Sequence, residues 1–412
     1  MKKIRTALIF LLTVCMVFSF TGCIFEEEEP VLVTSENAVE LLNSYSISTE
    51  EVPLKEGELP EVSDSETSVP PIIYELPDIS NYDLAVKGEG DLDVEVFLPI
   101  ENNGSSILEL VSYVAEGFNA KNIMVDGKKA SVSVRALEAA LAEEYILNGT
   151  YFPKGYIAAN ELYGLLMQEN GIDVSMVSEK TVGNTMGIVI EKAKYEELKN
   201  KYGEVTIQTI VKANEVGEIA IGYTNPTNNP TGLNFVISML SYFDAGNPMS
   251  FEATTDFSRF QSAVSQVSFD TTQMKNAVEN GALDAFVMEY QAFEADESLS
   301  DFEFMPFGTR HDNPLYAVGT LSETELEVLK LFADDFNLTE VQEYGKSLGF
   351  GKNENYESTV TISSGDFIMT VLNLWKENKA AESNISVIFV ADVSGSMAGD
   401  NIENLQKSLL NA

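Results

Sequence analysis

Near the end of this 412-residue chain, Asp392-Val393-Ser394-Gly395-Ser396 sets one carboxylate and two hydroxyls at alternate positions. Oxygen ligands in such an array suit a hard divalent cation such as magnesium, which keeps several waters and prefers an octahedral shell. The spacing predicts a metal site built on Asp392, Ser394 and Ser396. Other chemistry is scarce. His311 is the only histidine, and the only cysteines are Cys15 and Cys23. Triads that need a histidine base, and clusters of His or Cys ligands, are therefore nearly excluded. Carboxylates are plentiful, so a paired-carboxylate hydrolase stays open on composition, but no local motif singles out such a pair.

The metal loop needs a strand in front of it and a helix behind. Residues 386–391 form a continuous apolar run rich in branched side chains, as expected of a parallel strand buried on both faces. After Asp400, Ile402, Leu405, Leu409 and Leu410 fall at helical spacing. The loop thus sits at the carboxyl end of a strand, where ligands of open α/β sheets collect. The whole resembles the opening strand, metal loop and first helix of a von Willebrand factor A domain. In that family a threonine and a second aspartate from later loops complete the site. Neither is present here, so the resemblance implies an incomplete metal site and a fragment of a longer chain.

The other end of the sequence reads as an address. Lys2, Lys3 and Arg5 precede an apolar run over residues 7–20, then Thr21-Gly22-Cys23. Basic, apolar and small residues in that order make a secretory signal. About 14 apolar residues are too few for a permanent span of a ~30 Å hydrocarbon core. The ending resembles the lipobox of bacterial lipoproteins, which implies cleavage before Cys23 and acylation of its sulfur. Phe20 departs from the aliphatic residue usual there. Two or more acyl chains hold a protein durably on a membrane. The expected location is the outer face of a bacterial membrane.

Formal net charge is -40. Such a chain repels nucleic acid and anionic lipid head groups, so neither is an expected partner. Acidic runs at 26–29, 56–61 and 64–66 lie in a stretch rich in Pro, Ser and Thr, with Lys55 the only basic residue between 26 and 82. We read residues 23–85 as a disordered tether.

From about residue 91 the texture changes to apolar strands alternating with amphipathic helices. Strands are expected at 94–98, 123–125, 130–134, 187–190, 219–223, 283–290, 304–306 and 315–318. Helices are expected at 107–118, 136–147, 161–169 (ended by Gly171), 233–243 and 271–280. The alternation predicts a largely parallel sheet with helices on both faces. Ser322 with Glu325, and Thr339 with Gln342, match the capping box at two further helix starts. The loop 224–232, with its two Asn-Pro pairs and closing Gly, reads as a rigid turn between strand and helix. It would either offer N–H groups and hydroxyls to an anionic or polar group, or bind nothing.

Gly222-Tyr223-Thr224-Asn225-Pro226 with Gly232, the segment 283–290, and the ending from Gln342 to Gly349-Phe350 resemble the bilobed extracellular solute-binding proteins of bacteria. The resemblance covers about residues 91–351. It implies two α/β lobes closing on a ligand, with binding groups on loops at the strand ends. Carried onto this sequence, the candidates are Asn102, Asn103, Ser105, Thr224, Asn225, Thr227, Glu289 and Tyr290, with Arg310 as an anion partner.

The expected fold class is therefore α/β, a bilobed periplasmic-binding-protein-like (type 2) domain followed by the truncated start of a Rossmann-like von Willebrand factor A domain. The expected organisation is a signal peptide over 1–22, a tether over 23–85, the bilobed domain over 86–355, a linker helix within 356–383 and the metal-motif fragment over 384–412. The leading functional expectation is a non-catalytic, membrane-anchored binding lipoprotein, in which a solute-binding-like module is coupled to a metal-dependent adhesion domain. It would use Mg2+ or another divalent cation, and take a small molecule in the cleft and a protein at the metal. Alternatives are the solute receptor of an ABC-type transporter and a lipid-anchored glycan hydrolase.

Overall fold

The structure is a computed structural model, and it describes residues 76–100, 105–358, 360, 362 and 364–382. Cys23, most of the acidic stretch, Asn102, Asn103, Asp392, Ser394 and Ser396 lie outside the described residues.

Two α/β lobes are formed. Lobe I begins with β1 (Leu92–Ile100), whose Val94, Val96, Phe97 and Leu98 are buried. It leads into α1 (Ser106–Ala120), where Leu110, Val111, Val114, Ala115 and Phe118 recur at helical spacing and turn inward. Next come β2 (Met124–Val125), β3 (Lys128–Glu138), α2 (Ala139–Leu147), β4 (Gly155–Ile157), α3 (Leu162–Glu169) and β5 (Val174–Ser178). As expected, Gly171 follows α3 with a positive φ of 77°, the left-handed conformation that glycine tolerates at a helix end.

The chain crosses into lobe II at residues 179–184. There it forms β6 (Thr185–Glu191), α4 (Lys192–Tyr202), α5 (Ile207–Glu215), β7 (Ile221–Thr224), α6 (Pro230–Phe243), α7 (Phe251–Ala263), β8 (Gln266–Ser268), α8 (Thr271–Glu279), β9 (Ala285–Glu289), α9 (Tyr290–Ala295) and β10 (Phe302–Arg310). Residues 311–314 carry it back to lobe I, where β11 (Leu315–Val318), α10 (Glu323–Asp335) and α11 (Thr339–Ser347) complete the first sheet and its cover. The last element is α12 (Gly365–Glu382).

The sheets are mixed, which corrects the expectation of a largely parallel one. Lobe I has strand order β2-β3-β1-β4-β11-β5, with β3-β1-β4 parallel and β2, β11 and β5 joined antiparallel. Lobe II has order β10-β6-β9-β7-β8, with β9-β7-β8 parallel and β10-β6-β9 antiparallel. Apart from the two-residue β2, the strands that run against the rest are β11 and β6, each the first strand after a crossover. The strands that lead into the crossovers, β5 and β10, run with the parallel set.

Three further expectations are corrected. Residues 76–85 are not part of a free tether: Arg135, paired with Glu95 at 2.7 Å, donates to the carbonyls of Ile79 and Tyr82, and the Tyr145 hydroxyl donates to the Pro77 carbonyl. At α10, Ser322 and Glu325 form the expected capping box. At α11 they do not: Leu338 is the cap, Thr339 is already helical, and the Gln342 amide donates to the Phe336 carbonyl instead. The helix expected after residue 356 is present but is no free linker. α12 packs on α3 of lobe I and on α6 and α7 of lobe II, burying Ile368, Val371 and Trp375. Trp375 Nε1 donates to the Tyr223 hydroxyl at 2.7 Å, and Ser258 donates to Asn378 at 3.1 Å. Among the described residues no helix is long and apolar enough to cross a membrane.

Candidate functional site

A cavity of about 380 Å³ lies between the lobes, at the carboxyl ends of their parallel strands. Four helices begin on it: α1 at Ser106, α2 at Ala139, α6 at Pro230 and α8 at Thr271. The first N–H groups of a helix lack intrahelical partners and carry the positive end of its dipole, so they favour anionic or hydrogen-bond-accepting groups. Lobe II answers this demand internally. Asn229 caps α6 by accepting from the Thr231 and Gly232 N–H groups, and Asp270 caps α8 by accepting from Gln273. In lobe I neither Ser105 nor Glu138 makes a side-chain cap. The Ser105 hydroxyl is buried without a partner.

Behind the cavity, the crossover segments carry a polar knot around His311, which is fully buried. Its Nδ1 lies 2.5 Å from Glu289 Oε1, and its Nε2 lies 3.0 Å from Asn160 Nδ2 and 2.8 Å from Asn234 Nδ2. The two asparagines can be oriented from their other bonds: Asn160 Oδ1 accepts from Leu162 N, and Asn234 Oδ1 accepts from Thr309 N. Both amide nitrogens therefore donate to Nε2, which places the ring proton on Nδ1, facing Glu289. Asn184 donates to the other Glu289 oxygen at 2.8 Å. Asn160 belongs to lobe I, Asn234 and Glu289 to lobe II, and His311 and Asn184 to the crossovers. One imidazole thus fastens both lobes to their hinge.

The charges on the cavity wall are Glu289, Asp296 and Lys275, with Lys275 paired to Asp296. Burial pushes the Asp296 carboxyl up, but Lys275 and the Ser298 hydroxyl and N–H together hold it below its ordinary value. Apolar surface comes from Pro99, Ile100, Ile107, Ile157 and Phe350. Among the described residues no cluster of three or more His, Cys, Asp or Glu could hold a metal ion.

Of the candidate residues read from the sequence, the structure brings Ser105 and Glu289 to the cavity. The others among the described residues go elsewhere. Thr224 is fully buried and donates to Asn229 at 3.0 Å, while Asn225 accepts from the N–H and hydroxyl of Thr227 in a turn that satisfies itself. Gly232 is required there because a Cβ would meet the Thr224 carbonyl oxygen at 1.9 Å. Tyr290 lies in an outer depression of lobe II and donates to Glu294 at 3.0 Å. Arg310 makes two 2.7 Å bonds to Asp312 and donates to the carbonyls of Asn353 and Tyr356, so its guanidinium is engaged within the chain.

Sequence reasoning missed Ser106, Thr231, Lys275, Gln291, Asp296 and Asn313 on the same wall. A usable signal existed for Thr231 and Thr271: each lies in the first turn of the helix that follows a parallel strand of lobe II, behind an Asn or Asp cap.

No family model and no curated protein matches the sequence. Solved structures do. An extracellular solute-binding protein from Bordetella parapertussis aligns over 70% of this chain and 99% of its own, at 14% identity and a TM-score of 0.50. An ABC transporter structure from Clostridium perfringens aligns over 71% and 100%, at 14% identity and a TM-score of 0.49. Iron-bound HitA from Pseudomonas aeruginosa aligns over 70% and 99%, at 11% identity and a TM-score of 0.49. At such identities the first likeness shows the fold alone: the described part of the chain is folded as a two-lobed solute-binding protein.

Proposed function

We propose that the two-lobed part captures a small solute between its lobes and presents it to a membrane permease, as the receptor of an ABC-type transporter. The observation that carries this reading is the convergence of four helix starts, two from each lobe, on one cavity at the carboxyl ends of the strands. It makes the protein a binder, with no catalytic step assigned to it. Capture is tested by thermal unfolding of the full chain with sugars, amino acids, short peptides and oxyanions. A true ligand at 100 times its dissociation constant adds ~2.7 kcal/mol to stability. Absence of a shift with every class would sink the proposal.

A lipid anchor at Cys23 fits this role by holding the receptor beside its permease. Palmitate labelling should disappear in Cys23→Ala, and undiminished labelling would exclude the anchor. The adhesion reading is supported by the Asp392-x-Ser394-x-Ser396 motif alone. It predicts Mg2+-dependent attachment to cell-surface protein that Asp392→Ala abolishes; attachment indifferent to that change would remove it.

A further inference from the structure

We infer that the solute held in this cavity is a small zwitterion, carrying a carboxylate at one end and an ammonium group at the other. The inference rests on the capture reading above and narrows its ligand class.

The cavity wall is chemically divided. One part offers donors without partners. Leu108 N and Glu109 N bond to the Ser105 carbonyl, and the Ser106 and Ile107 N–H groups at the start of α1 have no acceptor among the described residues. The Ser105 hydroxyl is buried and unpaired. Across the cleft Thr231 is only 3% exposed, and no described residue bonds its hydroxyl, although its backbone N–H is held by Asn229. Donors from both lobes that have no acceptor among the described residues fit a carboxylate.

The other part offers acceptors. Asn313 and Gln291 are each 7% exposed. The Asn313 amide nitrogen donates to the carbonyls of Val182 and His311, and the Gln291 amide nitrogen donates to that of Leu348. Those bonds fix which amide atom is oxygen, and no described residue donates to either oxygen. Glu289 lies on the same wall with its side chain 28% exposed, and each of its oxygens takes one bond from the hinge while retaining a second lone pair. Two amide oxygens and a carboxylate fit an ammonium group with three donors.

Charge separates this ligand from the nearest competitor, a bare oxyanion. The wall holds two carboxylates against one lysine, and that lysine is already paired, in a chain of net charge -40. An oxyanion would satisfy the donors but leave the acceptors unpaired and meet a field of its own sign. A zwitterion satisfies both parts at no net charge.

The test is calorimetric titration of the full chain with α- and ω-amino acids, each matched to the acid lacking its amine, alongside glycine betaine, sulfate, molybdate and maltose. The expected result is binding of an amino acid at least 100-fold tighter than its amine-free counterpart and than glycine betaine, whose quaternary nitrogen cannot donate. Thr231→Val and Ser105→Ala should each weaken that binding about tenfold or more, with Thr231→Ser restoring it. Tighter binding of sulfate, molybdate or maltose than of any amino acid overturns the inference while leaving solute capture standing. Binding of an amino acid that neither Thr231→Val nor Ser105→Ala weakens overturns the placement. Heat from no probe at all removes the capture reading with it.

Discussion

Replacing Glu143 with glutamine should make the protein more stable at neutral pH, and the gain should grow with pH. Glu143 lies on α2, 7% exposed, and its Oε1 has no hydrogen-bond partner of ordinary geometry. Burial pushes its carboxyl well above the ordinary 4.5, and the facing Tyr156 and Tyr163 hydroxyls only partly oppose that. Below pH 4.5 the folded and unfolded chains both hold the proton, and the raised value costs nothing. Above it the unfolded chain releases the proton while the folded chain retains it, so stability falls as pH rises until the folded value is passed. One proton sets the slope at about 1.4 kcal/mol per pH unit. As pH rises above 4.5 the wild type should therefore lose stability relative to Glu143→Gln, by no more than about 1.4 kcal/mol per pH unit, until the folded value is passed. Burial also holds Tyr156 and Tyr163 well above 10, so neither ionises in this window. The net repulsion of the acidic chain is nearly common to both proteins and drops out of the comparison. Urea unfolding followed by far-ultraviolet circular dichroism at pH 5, 6 and 7, at fixed ionic strength, measures the difference directly. Parallel stability curves for the two proteins would refute a neutral buried carboxyl.

Two other substitutions probe how the lobes are joined. His311→Leu leaves Glu289 Oε1 and Asn160 Nδ2 without their shared partner; at about 1 to 3 kcal/mol for each orphaned group, urea titration should show a loss of about 2 to 6 kcal/mol. A loss under 1 kcal/mol would mean that the knot is not holding the hinge. Trp375→Ala empties a buried site between α12 and the lobes and should cost about 3 to 5 kcal/mol. Trp375→Phe should cost about 1 kcal/mol, since it removes the hydrogen bond to Tyr223 and keeps most of the packing. Equal losses in the two variants would contradict that division.

Much of the framework was legible because its signals are local. The α1 face, the capped start of α10 and the glycine after α3 are each written within one or two helical turns, and the structure places them where the pattern does. Sheet direction was not legible. The β6 and β9 runs are buried along nearly their whole length and read like parallel strands, yet they pair antiparallel across almost a hundred residues of sequence. Three-residue strands such as β4 and β8 are too short to show a period. The candidate residues divide by where the fold places them, and those that lie off the cavity share a cause. Thr224, Asn225, Thr227 and Arg310 are polar residues on loops, which is what a ligand contact looks like in one dimension. Whether such a residue faces a ligand depends on whether the chain supplies it a partner, and here Asn229, an internal turn and Asp312 do so. Conversely, Thr231 and Asn313 gain their exposure to the cavity only when two distant segments meet.

The chain contains one histidine and one tryptophan, and both sit where the lobes are fastened together: His311 in the crossover and Trp375 on the helix that spans the two lobes. The protein is in effect labelled at its own pivot. A single indole emission and a single imidazole proton signal, each free of background from any other residue of its kind, can follow the angle between the lobes in unmodified protein. Two spectroscopies would then report one motion from two independent fastenings, and agreement between them would separate rigid-body closure from local loosening at either one.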